Sequence, residues 1–120
     1  MSQQSKKLGQ TGETLATLLL QKKRHRILAR NLRTKYGEID ILSEEGKTIV
    51  VTEVKTKTSD FFGAAIEMIT PAKQRKLVLL THELQARYQT DNVRIDVISV
   101  DNAAGSPRLK HHKGVIEYRG

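Results

Sequence analysis

The sequence predicts an α/β fold in which two main helices flank a mixed central sheet of about five strands. Three observations lead to this prediction. Two segments carry leucines at helical spacing, a turn-like segment joins two alternating strands, and an apolar run lies near the C-terminus. The predicted order is a helix, three strands, a second helix, and one or two further strands. At 120 residues the chain is expected to form one domain, residues 1–120.

The first helix is predicted from about Thr11 to Lys23. On an ideal helical wheel, Glu13 lies nearly opposite the centre of the apolar stripe, beside Thr17 and Leu20. Glu13 is therefore expected either to look into a cleft or to face water. The stripe predicted to be buried comprises Leu8, Leu15, Leu18 and Leu19.

Three strands are predicted to follow this helix. The first runs from His25 to Arg33, and the next two form an acidic hairpin. The hairpin consists of Gly37-Glu38-Ile39-Asp40-Ile41 and Val51-Thr52-Glu53-Val54-Lys55, with a turn at Glu44 to Lys47.

The alternation of side chains along the hairpin places several charged groups on one surface. Glu38 and Asp40 share one face of the first strand, and Glu53 and Lys55 share one face of the second. A loop with an even number of residues puts both pairs on the same surface, with Asp40 opposite Val51 and diagonal to Glu53. A loop of odd length would send them to opposite faces.

Such a surface suits phosphodiester hydrolysis. Two converging carboxylates, Asp40 and Glu53, with no imidazole or thiolate among them, form a site for Mg²⁺ or Mn²⁺. The bound metal would polarise a phosphoryl oxygen and lower the pKa of a water, and the ammonium of Lys55 would orient that water or offset negative charge. The alternative interpretation is a surface hairpin whose charged side chains only make an exposed face of the sheet soluble.

A second main helix is predicted to begin at Thr70-Pro71, as N-cap and first helical residue. Before it, Thr56 to Thr70 contains a loop in which Phe61 or Phe62 could contact DNA, although packing of a ring onto the core is favoured. The predicted buried stripe of the helix comprises Leu77, Leu80, Leu84 and Tyr88.

The C-terminal part of the chain is predicted to form one internal strand, Val93 to Val100, and a final, weaker strand or pair of strands from Arg108 to Tyr118. Asp96 interrupts the internal strand. It is interpreted either as one half of a structural ion pair, with Arg94 or another basic residue, or as a group that approaches the acidic site from a neighbouring strand, and the structural role is favoured. His111-His112 does not predict a metal site, because adjacent strand residues point to opposite faces.

The charge balance indicates a nucleic-acid partner. The chain has 21 Lys and Arg against 13 Asp and Glu, a net charge of +8. Two Phe, three Tyr and no Trp disfavour base stacking, so backbone contact with duplex or branched DNA is expected. Positive charge in the first turns of the second helix is unfavourable unless it meets phosphate. The predicted phosphate contacts are Arg30, Arg33, Lys35, Lys73, Arg75 and Lys76.

Composition also predicts a cytoplasmic protein without a membrane partner. The chain has no cysteine and therefore neither disulfide nor thiolate metal site. Its polar first residues lack the apolar stretch of a signal peptide. The apolar segment from Leu15 to Leu20 is too short to cross a bilayer.

Six motifs carry a resemblance to a known family. In chain order they are Gly12-Glu13, Ala29-Arg30-Asn31-Leu32-Arg33, Gly37-Glu38-Ile39-Asp40, Glu53-Val54-Lys55, Pro71-Ala72-Lys73-Gln74 and Val93-Arg94-Ile95-Asp96-Val97. With these motifs the chain resembles the small bacterial YraN-like proteins, predicted endonucleases of the restriction-endonuclease-like fold that are similar to archaeal Holliday junction resolvases. The resemblance covers about Leu8 to Tyr118.

The resemblance implies a restriction-endonuclease-like fold and a Mg²⁺-dependent or Mn²⁺-dependent endonuclease acting on DNA, with branched or recombination intermediates among its substrates. Asp40 and Glu53 would be catalytic metal ligands and Lys55 the catalytic lysine. Glu13 would complete the metal shell directly or through water. Independently of the resemblance, Glu38 is predicted to contact these groups without binding the metal itself.

Two competing hypotheses belong to other functional classes. One is a non-catalytic nucleic-acid-binding module of the same fold, and the other is a protein-interaction domain in a DNA-processing assembly. Salt-sensitive DNA binding is expected of both an enzyme and a binding module, so only cleavage that depends on Mg²⁺ and Lys55 separates them. The sequence leaves open the preferred nucleic-acid structure, DNA against RNA, one or two metals, and a homodimer.

Overall fold

The computed structural model describes residues 3–57, 65–101 and 106–116, which form a five-stranded mixed sheet and two α-helices. The predicted α/β architecture is thereby confirmed, and it is compatible with a restriction-endonuclease-like fold. No helix in the described ranges is long and apolar enough to span a membrane. The elements are α1 (Gln3–Lys22), β1 (Arg26–Thr34), β2 (Gly37–Glu45), β3 (Thr48–Lys57), a 3₁₀ turn (Ala65–Met68), α2 (Pro71–Tyr88), β4 (Val93–Asp101) and β5 (Arg108–Ile116).

The strands lie in the sheet in the same order as in the chain. β3 and β4 are parallel, and every other neighbouring pair is antiparallel. A parallel pair needs a crossover connection, which here carries α2. β4 lies between β3 and β5, and its residues 95–100 are all buried, so its predicted internal position is confirmed. The predicted loop with Phe61 and Phe62 lies outside the described residues.

Helix α2 packs against the sheet as its leucine spacing predicts. Leu77, Leu80 and Leu84 are buried in one core cluster with strand residues, and Tyr88 packs against that cluster. Thr70 caps the helix, since its side chain accepts a hydrogen bond from the Lys73 N–H at 3.2 Å. The predicted helix start is therefore confirmed.

Helix α1 differs from the prediction in two ways. It begins at Gln3 rather than Thr11, because the Gln, Lys and Leu of this segment are good helix formers. Its buried face is also rotated partly away from the leucine stripe, in which Leu15 and Leu19 are half-buried and the side chain of Leu8 lies outside the described residues. Ala16 and Leu20 are completely buried, whereas Leu18 is 57% exposed.

Small residues explain this rotation. A Cβ added to Gly12 would lie 3.0 Å from Thr56 Oγ1 and 3.6 Å from a methyl carbon of Val100. Gly12 and Ala16 therefore let the helix lie closer to β3 and β4 than leucine side chains would allow. Glu13 follows Gly12 directly and lines a pocket together with residues of β2 and β3.

The turn between β2 and β3 is tighter than predicted. Glu45 pairs with Thr48, so only Gly46 and Lys47 form the loop, in place of a four-residue loop from Glu44 to Lys47. Gly46 adopts φ +59°, a left-handed conformation that suits a two-residue hairpin turn. Both loops have an even length, so the faces of the strands are those predicted.

The tighter turn shifts the register by two residues. Leu42 pairs with Val51, and continuation of this register brings Asp40 level with Glu53. The prediction that Asp40 stands opposite Val51 and diagonal to Glu53 is therefore wrong. The observed register brings the two carboxylates closer together than the predicted one would.

Asp96 has the structural role that was favoured for it. Its fully buried carboxylate accepts hydrogen bonds from Arg94 Nε at 2.8 Å, His111 Nε2 at 2.7 Å and the Gly114 N–H at 3.0 Å. Burial alone would raise its pKa, but the bonds from His111, Arg94 and Gly114 outweigh burial and hold the pKa at about 2. Arg94 also binds Glu45 at 2.9 Å, which ties β4 to the end of β2.

Candidate active site

A polar pocket of about 470 Å³ opens where β2 and β3 diverge, close to α1 and the first turn of α2. It combines several acidic side chains with two lysines. The structure thus brings together all five residues predicted for catalysis, metal binding or support, while their chemical roles stay predictions. The lining residues are Glu13, Glu38, Asp40, Glu53, Val54, Lys55, Thr56, Thr70 and Lys73.

Asp40 is fixed by the backbone of the neighbouring strand. The main-chain pairing of β2 and β3 reaches Ile41 and Thr52, and beyond it the Val54 N–H donates to Asp40 Oδ2 at 2.8 Å. The carboxylate thus takes the place of a main-chain acceptor where the strands separate. Burial raises the pKa of Asp40, although the Val54 hydrogen bond and the charge of Lys55 act in the opposite direction.

Glu53 is the most deeply buried acid of the pocket, at 4% exposure. Its Oε1 accepts no hydrogen bond from the part of the chain that the structure describes, and Lys73 Nζ, 3.8 Å away, lies beyond hydrogen-bond distance but within reach of an ion pair. Burial, and then the charge of Asp40, raise the pKa of Glu53 to about 7. A buried carboxylate oxygen without a donor is costly unless a cation compensates it.

Glu13 belongs to the same electrostatic group. Burial and the charge of Asp40 raise its pKa, while a hydrogen bond from the Asn31 side chain and the charge of Arg30 lower it. Asn31 has φ +52°, a left-handed conformation that asparagine tolerates better than most residues. Arg30 Nη2 donates to Thr14 at 3.3 Å, which places this arginine beside α1.

Two lysines enter the acidic pocket from different elements. Lys55 comes from β3, and its positive charge lowers the pKa of both Asp40 and Glu53. Lys73 comes from the first turn of α2, and its Nζ donates to the main-chain oxygen of Glu38 at 3.0 Å. Sequence reasoning assigned Lys73 to phosphate and missed its place in this pocket. The available signal was a positive charge at a helix N-terminus, which is unfavourable without an anionic neighbour.

The other predicted phosphate contacts do not line this pocket. Arg33 and Lys35 line a second cavity of about 220 Å³ against α2. Arg75 and Lys76 are exposed on α2. The predicted basic set is therefore spread over several surfaces, and only Lys73 lies within the acidic pocket.

The donor set fits a hard divalent cation. Within the described residues, no group of three or more His, Asp or Glu side chains is arranged to hold a metal ion. Mg²⁺ commonly keeps several waters and takes only one or two protein carboxylates together with substrate phosphates. Asp40 and Glu53 could supply these two carboxylates, and Glu13 could add to them directly or through water.

The raised pKa of Glu53 predicts how stability depends on pH in a metal-free buffer. The unfolded carboxyl titrates near 4.5 and the folded one near 7, so the folded protein holds the extra proton between these values. The free energy of unfolding should then fall as pH rises from about 4.5 to 7, by at most on the order of 3 kcal/mol. Urea denaturation in EDTA would measure this slope. Glu53→Gln should flatten it, and an equal slope in that variant would contradict the prediction.

The chain is similar to proteins of one family along most of its length. Residues 12–100 match the model of "Uncharacterised protein family UPF0102". A UPF0102 protein of Geobacter metallireducens is 40% identical over 119 residues, which cover 98% of each chain. A UPF0102 protein of Mycolicibacterium gilvum is 42% identical over 115 residues, 90% of this chain and 92% of the relative. One of Vibrio campbellii is 41% identical over 103 residues, 82% and 84% of the two chains.

Proposed function

This chain belongs to the UPF0102 family, which confirms its YraN-like resemblance, and from the chemistry of its acidic pocket we propose that it is a metal-dependent endonuclease. The proposed reaction is hydrolysis of phosphodiester bonds in DNA, including branched or recombination intermediates. Mg²⁺ or Mn²⁺ is the proposed cofactor.

The observation that carries this proposal is the unsatisfied Glu53 carboxylate beside Asp40. One oxygen of Glu53 is buried without a hydrogen-bond donor among the described residues, in a pocket open enough to admit a phosphate group. The described lining of the pocket offers the carboxylates of Asp40 and Glu53 and no sulfur or imidazole ligand, which favours a hard, oxygen-binding cation. Lys55 supplies the positive group that phosphoryl transfer needs beside such a cation.

The proposed roles follow from position. Asp40 and Glu53 would hold the metal, which supplies charge stabilisation at the phosphoryl group and a more acidic water. Lys55 would orient the attacking water and offset negative charge that develops at phosphorus. Hydrolysis then forms one bond between the water oxygen and phosphorus and breaks one bond between phosphorus and a bridging oxygen. Glu13 and Glu38 would hold waters around the pocket.

The charge of the whole protein supports a nucleic-acid substrate. The net charge of +8 favours association with a polyanion even though the pocket itself is acidic. The charge of Arg30 acts on Glu13, and this arginine would contact a phosphate close to the pocket. Arg75 and Lys76 offer exposed positive charge on α2, the helix that brings Lys73 to the pocket.

Calorimetric titration with Mn²⁺ tests the metal site directly. The unaltered protein should bind Mn²⁺, and Asp40→Asn and Glu53→Gln should each weaken binding by at least about tenfold, since each removes a charged ligand. Glu44→Gln is the matched control, because it removes one carboxylate charge on β2 from a residue that does not line the pocket. This control should bind Mn²⁺ like the unaltered protein.

Equal Mn²⁺ affinity in all four proteins would overturn the assignment of the metal site. Mn²⁺ binding at Asp40 and Glu53 together with salt-sensitive DNA binding, but without any metal-dependent cleavage, would favour the non-catalytic nucleic-acid-binding module instead. DNA binding alone does not distinguish the two functions.

A further inference from the structure

The side chain of Lys73 does not extend into water, as is usual for a lysine in the exposed first turn of a helix. Its side chain is 26% exposed and turns from the exposed first turn of the helix into the acidic pocket. There its Nζ donates to the Glu38 main-chain oxygen at 3.0 Å and lies 3.8 Å from Glu53 Oε1. A long, flexible lysine loses rotamer freedom when it is held in this way, so the contact must offset that cost.

The backbone of β2 leaves room for this ammonium group. Gly37, at the start of the strand, has φ +114°, and a Cβ added there would lie 3.0 Å from Lys73 Nζ. Glycine therefore serves two purposes at this position, an unusual backbone conformation and space for a cation. A side chain at Gly37 would push the lysine away from the carboxylates.

The geometry points to Lys73 as the counter-ion that Glu53 holds until a divalent cation displaces it. This inference rests on the proposed metal site and adds a positioning residue to it. The ammonium and the divalent cation are attracted to the same buried oxygen, Glu53 Oε1, which accepts no hydrogen bond from the described residues. Because both are positive and would be only a few ångströms apart, they compete for that oxygen.

Competition has a consequence for the substrate. Once displaced, the Lys73 ammonium lies at the rim of the pocket, where the phosphate of a nucleic acid is expected. Metal binding should therefore strengthen the contact of Lys73 with phosphate, and phosphate should in turn strengthen metal binding, since coupling between two ligands is reciprocal.

Mn²⁺ titration of Lys73→Gln tests the competition. Glutamine keeps a polar side chain with an N–H donor but carries no charge, so this variant should bind Mn²⁺ at least about fivefold more tightly than the unaltered protein, the lower range of coupling between sites. Lys47→Gln is the matched control, because it removes the same charge from the exposed turn at the other end of the hairpin. The control should keep the original Mn²⁺ affinity. Equal or weaker Mn²⁺ binding by Lys73→Gln than by this control would overturn the inference.

A second measurement uses the unaltered protein and does not depend on the folding of a variant. Mn²⁺ should increase the rate at which an amine-reactive label modifies Lys73, relative to Lys47, as followed by mass spectrometry. An unchanged ratio would contradict the displacement. If the protein binds Mn²⁺ through Asp40 and Glu53 but Lys73 does not respond, only this inference fails. If it binds no Mn²⁺ there, the proposed function fails with it.

Discussion

Lys55→Ala is expected to cleave DNA at least about a hundredfold more slowly than the unaltered protein in the presence of Mg²⁺. Lys55 is the lysine that β3 contributes to the pocket with Glu53, and its charge acts on both Asp40 and Glu53. Removing it takes away a group that orients the attacking water and offsets charge at phosphorus, without removing either proposed metal ligand. A panel of labelled duplexes, flaps, junctions, single strands and RNA, incubated with Mg²⁺ or Mn²⁺, measures the rate and identifies the preferred substrate.

The control for this experiment is Lys47→Ala, which removes an equal charge from an exposed turn. Lys47→Ala should cleave at the original rate, and Lys55→Ala should retain Mn²⁺ binding. Cleavage by Lys55→Ala at the rate of its control would show that Lys55 has no part in the reaction. Loss of Mn²⁺ binding in Lys55→Ala would instead indicate that the lysine organises the carboxylates.

The hairpin shows how much of the site its sequence could predict. Side-chain alternation with an even loop places Asp40 and Glu53 on one surface whatever the exact register, because a shift of two residues preserves the face. Side-chain alternation does not predict the length of the turn. Glu44 to Lys47 contains residues that suit either a four-residue or a two-residue loop, and the left-handed backbone of Gly46 decides in favour of the shorter one.

Helix α1 shows where a leucine pattern misleads. Four leucines at helical spacing predict the buried face, yet Leu18 is 57% exposed and Ala16 is completely buried. The better signal is the pair of small residues, Gly12 and Ala16, because their spacing of four lets the helix approach the sheet closely. The close packing of α1 on the sheet also fixes the position of Glu13. The helical wheel predicted only that Glu13 would face either a cleft or water.

Lys73 and Asn31 illustrate features that depend on tertiary contact. The first turn of α2 comes near Glu38 only after the sheet and the crossover have formed, and no local pattern gives that distance. The contact of Asn31 with Glu13 joins β1 to α1 in the same way. Such pairs combine residues far apart in the chain, so residue type alone indicates what they could do but not whether they meet.

Asp96→Ala is expected to lower the free energy of unfolding by roughly 3 to 5 kcal/mol, the loss typical of breaking a buried ion pair from one side. The Asp96 carboxylate is fully buried and accepts bonds from Arg94, His111 and the Gly114 N–H. Without this carboxylate, the half-buried guanidinium of Arg94 loses two of its hydrogen bonds. The imidazole of His111 loses its acceptor and keeps its contact with Lys23 Nζ at 2.9 Å. Urea denaturation at neutral pH measures the change.

The matched control is Glu44→Ala, which breaks the pair of Arg26 and Glu44 at 3.0 Å. That pair is open to water, with side chains 72% and 32% exposed, so its loss should cost less than about 1 kcal/mol.

Asp96→Asn keeps the size of the side chain but presents an amide group to donors, and it should also be much less stable than the control. The Asp96 network joins β4, β5 and the end of β2 and lies outside the acidic pocket, so Mn²⁺ affinity should survive wherever the variant is still folded. A loss of stability no greater than that of Glu44→Ala would show that the remaining groups of the network compensate for the missing carboxylate.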